Sequence, residues 1–256
     1  MSLAAIYNTF DGEELLEGSI AQIVDQVDEV LIIYQLQSNI GEHYPELLTT
    51  LAAIKQRWQK VRLRKYEPDF NLTPSNNERI KRQIGLDWAL QLGCTHYLFL
   101  DNDEYYDTQA FAAAKAKLEL GEYDASACRL YTYYKQPTYR LQPIENYWVP
   151  FMGRLKPGMK AGGKFPVLVD PTRGVKPIER CYLFAEHDLV THHYSYVRKD
   201  IGRKLRNSSA ARNFGNIAQK VEQFNAWLPG QPLVHFSNYG IVEVPNLFGI
   251  GGKVDC

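Results

Sequence analysis

The stretch "LDNDEYYD" sets Asp101, Asp103, Glu104 and Asp107 close together, directly after the apolar run "YLFL". Carboxylates at i and i+2 with a third adjacent repel one another unless a cation or a set of donors stands among them. Hard divalent ions such as Mn²⁺ and Mg²⁺ take carboxylate oxygens, and Mg²⁺ keeps positions free for water and substrate phosphates. Asp101 and Asp103 are therefore candidate metal ligands, in an arrangement that would bind a nucleoside diphosphate through its metal. A turn whose Asp and Asn side chains cap a helix starting near Thr108 is the competing reading, and Glu104 and Asp107 fit it as helix-start charges.

A second chemically equipped stretch, "THHYSYVRKDIGRKL", carries His192 and His193 followed by Arg198, Lys199 and Arg203. A neutral imidazole suits Mn²⁺ and can complete a site begun by two aspartates. Neighbours on a strand point to opposite faces, so at most one of the two histidines faces such a site. The cations at the start of the following helix can neutralise a diphosphate leaving group.

The elements that must position these groups are legible in the apolar patterning. "LAAIYN", "EVLIIYQ", "VRLRKYEP" and "HYLFL" read as four strands. Between them lie helical spacings: Leu16, Ile20, Ile23 and Val27; then "PELLTTLAAIKQRWQK"; then "TPSNNERIKRQIGLDWALQLG", with Ile80, Ile84 and Trp88 four apart and Gly93 at the end. Strands alternating with helices predict an α/β fold, a mostly parallel sheet with helices on both faces, whose ligands bind at the carboxyl ends of the strands. After "TQAFAAAKAKLELG" the chain turns aromatic and proline-punctuated, which suits an antiparallel, loop-rich region, and helices return from Val197. One domain over 1–256 is expected, in parts at 1–120, 121–196 and 197–256, the last being C-terminal helices with an irregular tail.

Lys plus Arg equals Asp plus Glu at 29 each, so no overall basic field draws the chain to nucleic acid or an anionic membrane. There is no transmembrane-length apolar run and no signal-peptide pattern at the N-terminus, so a cytoplasmic location is expected. Cys94, Cys128, Cys181 and Cys256 are isolated and predict reduced thiols.

The layout of an N-terminal strand, three β/α units and then a hydrophobic run ending in Asp-x-Asp resembles the nucleotide-sugar-dependent glycosyltransferases of the GT-A fold, in particular their family-2-like group. The resemblance implies that Asp101 and Asp103 contact a divalent metal, Mn²⁺ or Mg²⁺, and the sugar diphosphate. It would make 1–120 the nucleotide-binding half and 121–196 the acceptor-side half. It sets Tyr7, Asn8 and Thr9 near the base, and Arg82, with Gln83 at the group's Asn position, on the nucleotide or diphosphate side. "HHYSYV" is similar to a His-Tyr element of several branches, which makes His193 the preferred third ligand over His192 and brings Arg198, Lys199 and Arg203 to the donor. Where many members carry a base-binding Asp after the second strand, this chain has Tyr34 and Gln35, so the base contact differs.

The implied activity is transfer of a sugar from a nucleoside-diphosphate sugar donor to a carbohydrate or glycan-precursor hydroxyl, with inversion. Such transfer needs a carboxylate within reach of the acceptor hydroxyl. Asp188 is preferred to Glu186, with Glu145 a third candidate. Trp148 offers either an acceptor platform or a packed ring. A nucleotidyltransferase is the first alternative, although "YNTFDGEE" lacks a glycine-rich phosphate loop. The second is a non-catalytic carbohydrate-binding protein on the same fold.

Overall fold

The computed structural model describes residues 1–209, 211 and 214–251. The N-terminal part runs β1 (Leu3–Thr9), α1 (Glu13–Ile23), β2 (Glu29–Tyr34), α2 (Leu47–Arg57), β3 (Val61–Lys65), α3 (Pro74–Gln91), β4 (His96–Asp101), β5 (Glu104–Tyr105) and α4 (Thr108–Leu120). There follow β6 (Ala125–Tyr134), β7 (Tyr139–Gln142), β8 (Trp148–Arg154), β9 (Lys160–Ala161), β10 (Val175–Lys176), β11 (Cys181–Leu183) and β12 (Val190–Tyr196). The chain closes with α5 (Ile201–Asn207), α6 (Ile217–Ala226) and β13 (Gly240–Glu243).

β3, β2, β1 and β4 lie side by side and parallel, as the alternating pattern predicts. β8 then enters antiparallel to both β4 and β6, and β12 and β11 run parallel to β6. The result is a curled, mixed sheet whose parallel half carries α1, α2 and α3 and whose second half, built from the aromatic stretch, carries α5 and α6.

Strand alternation divides the core. Leu3, Ala5, Tyr7, Leu98 and Leu100 face one side, under α1, α2 and α4. Ala4, Ile6, Tyr97 and Phe99 face the other, under α3. "YLFL" is apolar throughout because both of its faces are covered. α3 approaches the sheet closely at Gly85, where a Cβ would come within 2.2 Å of Ile6 Cγ2. Only a residue without a side chain permits that spacing.

The inward stripe of α3 departs from the expected one. Ile80 is 37% exposed, whereas Asn77, Lys81, Arg82, Gly85, Leu86 and Ala89 are buried. Apolar spacing alone misses this because the first half of the helix faces a polar cleft rather than the core. Val197, Ile201 and Leu205 are buried as expected. Cys94, Cys128 and Cys181 are free thiols, while Cys256 lies outside the described residues. Among the described residues no helix is long and apolar enough to cross a membrane.

Candidate functional site

Asp101 shares its face of β4 with Tyr97 and Phe99, the face that α3 covers, so its carboxylate meets a side chain from that helix. Arg82 lies over the Phe99 ring at 5.2 Å and donates from Nη2 to Asp101 Oδ1 at 3.1 Å. Arg173 donates from its own Nη2 to Asp101 Oδ2 and also pairs with Glu104 at 2.6 Å. Arg173 reaches this point from the loop before β10, which is pinned against β9: a Cβ at Gly174 would lie 1.9 Å from the Gly163 carbonyl oxygen. Gln83 fastens the same hairpin to α3, donating to the Met159 carbonyl at 3.1 Å and accepting from Ala161 N–H at 2.9 Å.

The turn after β4 is fixed from below. Thr9 donates to Asn102 at 2.8 Å, and Asn102 donates to the Asp11 carbonyl at 2.8 Å. β5 then pairs with β12 so that Glu104 stands opposite His193. Asp103 receives a charge-assisted hydrogen bond from Arg198, and His193 Nε2 lies 3.6 Å from its other oxygen. His192 points the opposite way and pairs with the Tyr133 hydroxyl at 2.8 Å. Burial, with Arg140 nearby, depresses His192 to about 4, so it is a neutral packed imidazole.

The charges in this region follow from burial and pairing. Burial alone would raise Asp101, but the Arg173 and Arg82 guanidinia outweigh it and hold the carboxyl well below the usual range. Arg198 and His193 do the same for Asp103 against its burial. Glu104 goes the other way, raised by burial and by Asp101 in spite of Arg173. Glu78 is raised by burial in spite of Lys81 and Arg82.

Asp101, Asp103, Glu78, Arg82, His193 and Arg198 border a cleft of about 260 Å³ at the carboxyl ends of β1, β2 and β4, with Asp11 and Asp170 also in its lining, while Arg173 and Glu104 lie behind it. One wall presents Glu78, Lys81 and Arg82 from α3; the facing wall presents His193, Ser195, Arg198 and Lys204; Gln35, Ser38 and Asn39 lie at one end. Lys81 is 4% exposed, and burial lowers its ammonium to about 8 even with Glu78 near it. Lys204 is lowered by burial and then by Arg198. Arg82 Nε and Nη1 and Arg198 Nη1 are buried N–H groups without a partner. Buried donors are rarely left unpaired, so these N–H groups are open to a ligand or to water.

Several expected site residues lie elsewhere. Tyr7 faces the α1 side of the sheet, fully buried, with its hydroxyl on Ser19 at 2.9 Å, so it does not reach the cleft. Of "YNT" only Asn8 lines it, because a strand cannot turn consecutive residues to one face. Thr9 supports the turn instead. Lys199 belongs to a separate pocket beside Glu14 and Phe248, its N–H on Glu14 at 3.0 Å. Arg203 stacks on Tyr44 with its guanidinium carbon 3.8 Å from the ring centre, and lies 3.9 Å from Asp11.

Trp148 packs beneath Arg129, at 5.3 Å, outside the cleft lining. Asp188 is an outer-surface carboxylate 3.8 Å from Lys117, and Glu186 accepts from the Tyr131 hydroxyl on the face opposite His193. Glu145, by contrast, accepts from Thr132, the direct β6 neighbour of His193. Arg173, Lys81 and Lys204 were not singled out by the sequence. Lys81 had a signal: it falls four residues from both Asn77 and Gly85, on the stripe that meets the sheet. Arg173 had none, since a single Arg in a Pro- and Gly-flanked loop is unremarkable.

The fit to a divalent ion can be tested on the donors present. Both Asp101 oxygens and one Asp103 oxygen are held by guanidinium groups, which leaves Asp103 Oδ1 facing His193. Among the described residues no three His, Cys, Asp or Glu side chains converge as an ion site. The residues as arranged do not fit the three-ligand centre expected of Asp101, Asp103 and His193.

No family model matches the sequence, and no curated protein does. Among solved structures the chain is similar to TarS of S. aureus, with a TM-score of 0.47, 11% identity, and coverage of 88% of this chain and 42% of that one. A 1–349 fragment of TarS gives a TM-score of 0.46 at 11% identity, over 89% of this chain and 67% of that one. The complex of that fragment with UDP gives 0.39 at 14% identity, over 52% of this chain and only 36% of the other. These scores lie below 0.5, and it is the cleft that bears on function.

Proposed function

We propose that this chain is a nucleotide-sugar-dependent glycosyltransferase, moving a sugar from a nucleoside-diphosphate donor to a carbohydrate hydroxyl. The observation that carries the reading is the cleft at the strand carboxyl ends, which Lys81, Arg82, Arg198 and Lys204 line and where Arg82 and Arg198 keep unpartnered N–H groups. Open α/β sheets bind ligands at this position, and several cations on facing walls suit the adjacent charges of a diphosphate. Gln35, Ser38 and Asn39 at one end offer neutral donors and acceptors for a base, in place of the carboxylate that the sequence lacks there.

Transfer proceeds with inversion in this reading. The acceptor oxygen forms its bond to the anomeric carbon while the bond to the diphosphate breaks, and the electron pair leaves on the diphosphate. The acceptor proton passes to a carboxylate. Glu145 fits this role better than Asp188 or Glu186, because it is next to His193 through Thr132 while the other two face away.

A panel of nucleoside-diphosphate sugars tests the reading through ligand-induced thermal stabilisation and slow release of free nucleoside diphosphate. Stabilisation by one donor class with measurable release is expected. Stabilisation by a sugar alone, with no effect of any nucleotide, would mark a carbohydrate-binding protein instead. For the base, Glu145→Gln should lower turnover by about 10²-fold or more with donor affinity retained, and unchanged turnover would remove Glu145 from the role.

A further inference from the structure

We infer that the donor diphosphate is neutralised by side-chain cations alone, and that Asp101 and Asp103 hold guanidinium groups in place rather than a divalent ion. The inference rests on the donor reading above and concerns how the same cleft manages charge.

Three of the four oxygens of the Asp-x-Asp pair are already taken. Arg82 occupies Asp101 Oδ1 at 3.1 Å, Arg173 occupies Asp101 Oδ2, and Arg198 occupies Asp103 Oδ2. The fourth faces His193 Nε2 at 3.6 Å, which leaves one carboxylate oxygen and one imidazole for any ion. Each of these arginines is nearly buried, at 3%, 5% and 7% side-chain exposure, so none can swing into water to vacate its carboxylate cheaply. A divalent ion at this point would have to displace at least one guanidinium from a carboxylate oxygen it already holds.

The anchored arginines keep donors to spare. Arg82 Nε and Nη1 and Arg198 Nη1 are buried and unpartnered, and Lys81 and Lys204 line the same cleft from opposite walls. A carboxylate on one edge of a guanidinium fixes the plane in which its remaining N–H groups point, so the acidic pair orients the cations that meet the phosphates. Arg173 is the extra member: it consumes Asp101 and Glu104 together, at 2.6 Å from the latter, and so removes the carboxylate an ion would need most.

The test uses the full chain stripped with chelator. Uridine, guanosine, cytidine, adenosine and thymidine diphosphates and their glucose conjugates are titrated by calorimetry in excess EDTA, and again with Mn²⁺ or Mg²⁺. The expected result is that at least one binds with Kd equal within roughly threefold in both conditions, and that Lys81→Ala and Lys204→Ala each weaken it by about tenfold. Binding that appears only with Mn²⁺ or Mg²⁺, and is lost in Asp103→Ala and His193→Ala, overturns the inference while leaving the donor reading intact. Absence of binding by every nucleotide in both conditions overturns the donor reading and this inference with it.

Discussion

Lys81 shows what burial does to a single charge. A lysine held at about 8 by burial is ammonium at neutral pH and increasingly neutral above it. The charged groups facing it are Glu78 and Arg82 on its own helix and Asp101 on β4. An anionic ligand binds the ammonium form, so the sign is fixed: affinity for a nucleoside diphosphate should hold below pH 8 and fall by up to about tenfold per unit above it. Lys81→Ala should lower the affinity at neutral pH and flatten this decline, with Lys204 supplying what remains. Calorimetric titrations across the range check it, and an affinity independent of pH up to the ordinary lysine range would show that Lys81 does not meet the ligand.

At the scale of elements, the site depends on how closely α3 lies on β1. Gly85→Ala would set a methyl group 2.2 Å from Ile6 Cγ2 and 3.3 Å from Ile33 Cδ1. The helix gains about 1 kcal/mol of propensity from the alanine, but overpacking a filled core costs about 1–3 kcal/mol. A net loss of stability is expected, and because a displaced α3 carries Lys81 and Arg82 with it, nucleotide affinity should fall too. Ile6→Ala removes the obstructing methyl, so the double variant should lose less than the sum of the two single variants. Strict additivity in denaturant midpoints would refute the close approach.

Much of this arrangement is legible in the sequence. The four parallel strands follow from apolar runs, Thr73 and Asp107 cap α3 and α4 as their residue types predict, and the opposed faces of His192 and His193 follow from strand alternation. What was not readable has a physical reason in each case. The same alternation removes Tyr7 from the cleft. Glu104 resembles a helix-start charge in sequence, yet Arg173, sixty-nine residues away, makes it a buried ion-pair partner. Local pattern carries no record of such long-range pairing.

For the whole molecule, the balance of buried charges sets how stability responds to acid. Asp101 and Asp103 tie the β4 tip to Arg173 and Arg198, so the parallel half is bound to segments from far along the chain. Their carboxyls are held below the ordinary value, mainly by those guanidinia against burial, and Asp124 is lowered to about 2, chiefly by Lys156. A depressed carboxyl contributes stability above its unfolded pKa and loses it as pH falls through its folded one, so this set acts below about pH 4. Asp11, Glu78 and Glu104 are raised by burial and work in the opposite sense, since protonating them in the folded state relieves the cost of a buried charge. Between neutrality and about pH 4.5 the second set should keep the urea midpoint level or lift it, and below about pH 4 the first should make it collapse. The four tryptophans allow this to be followed by fluorescence at a series of pH values. A midpoint that declines steadily from pH 7 would mean that the raised group is not buried as charge, and that the cleft is wetter and less organised than its ion pairs require.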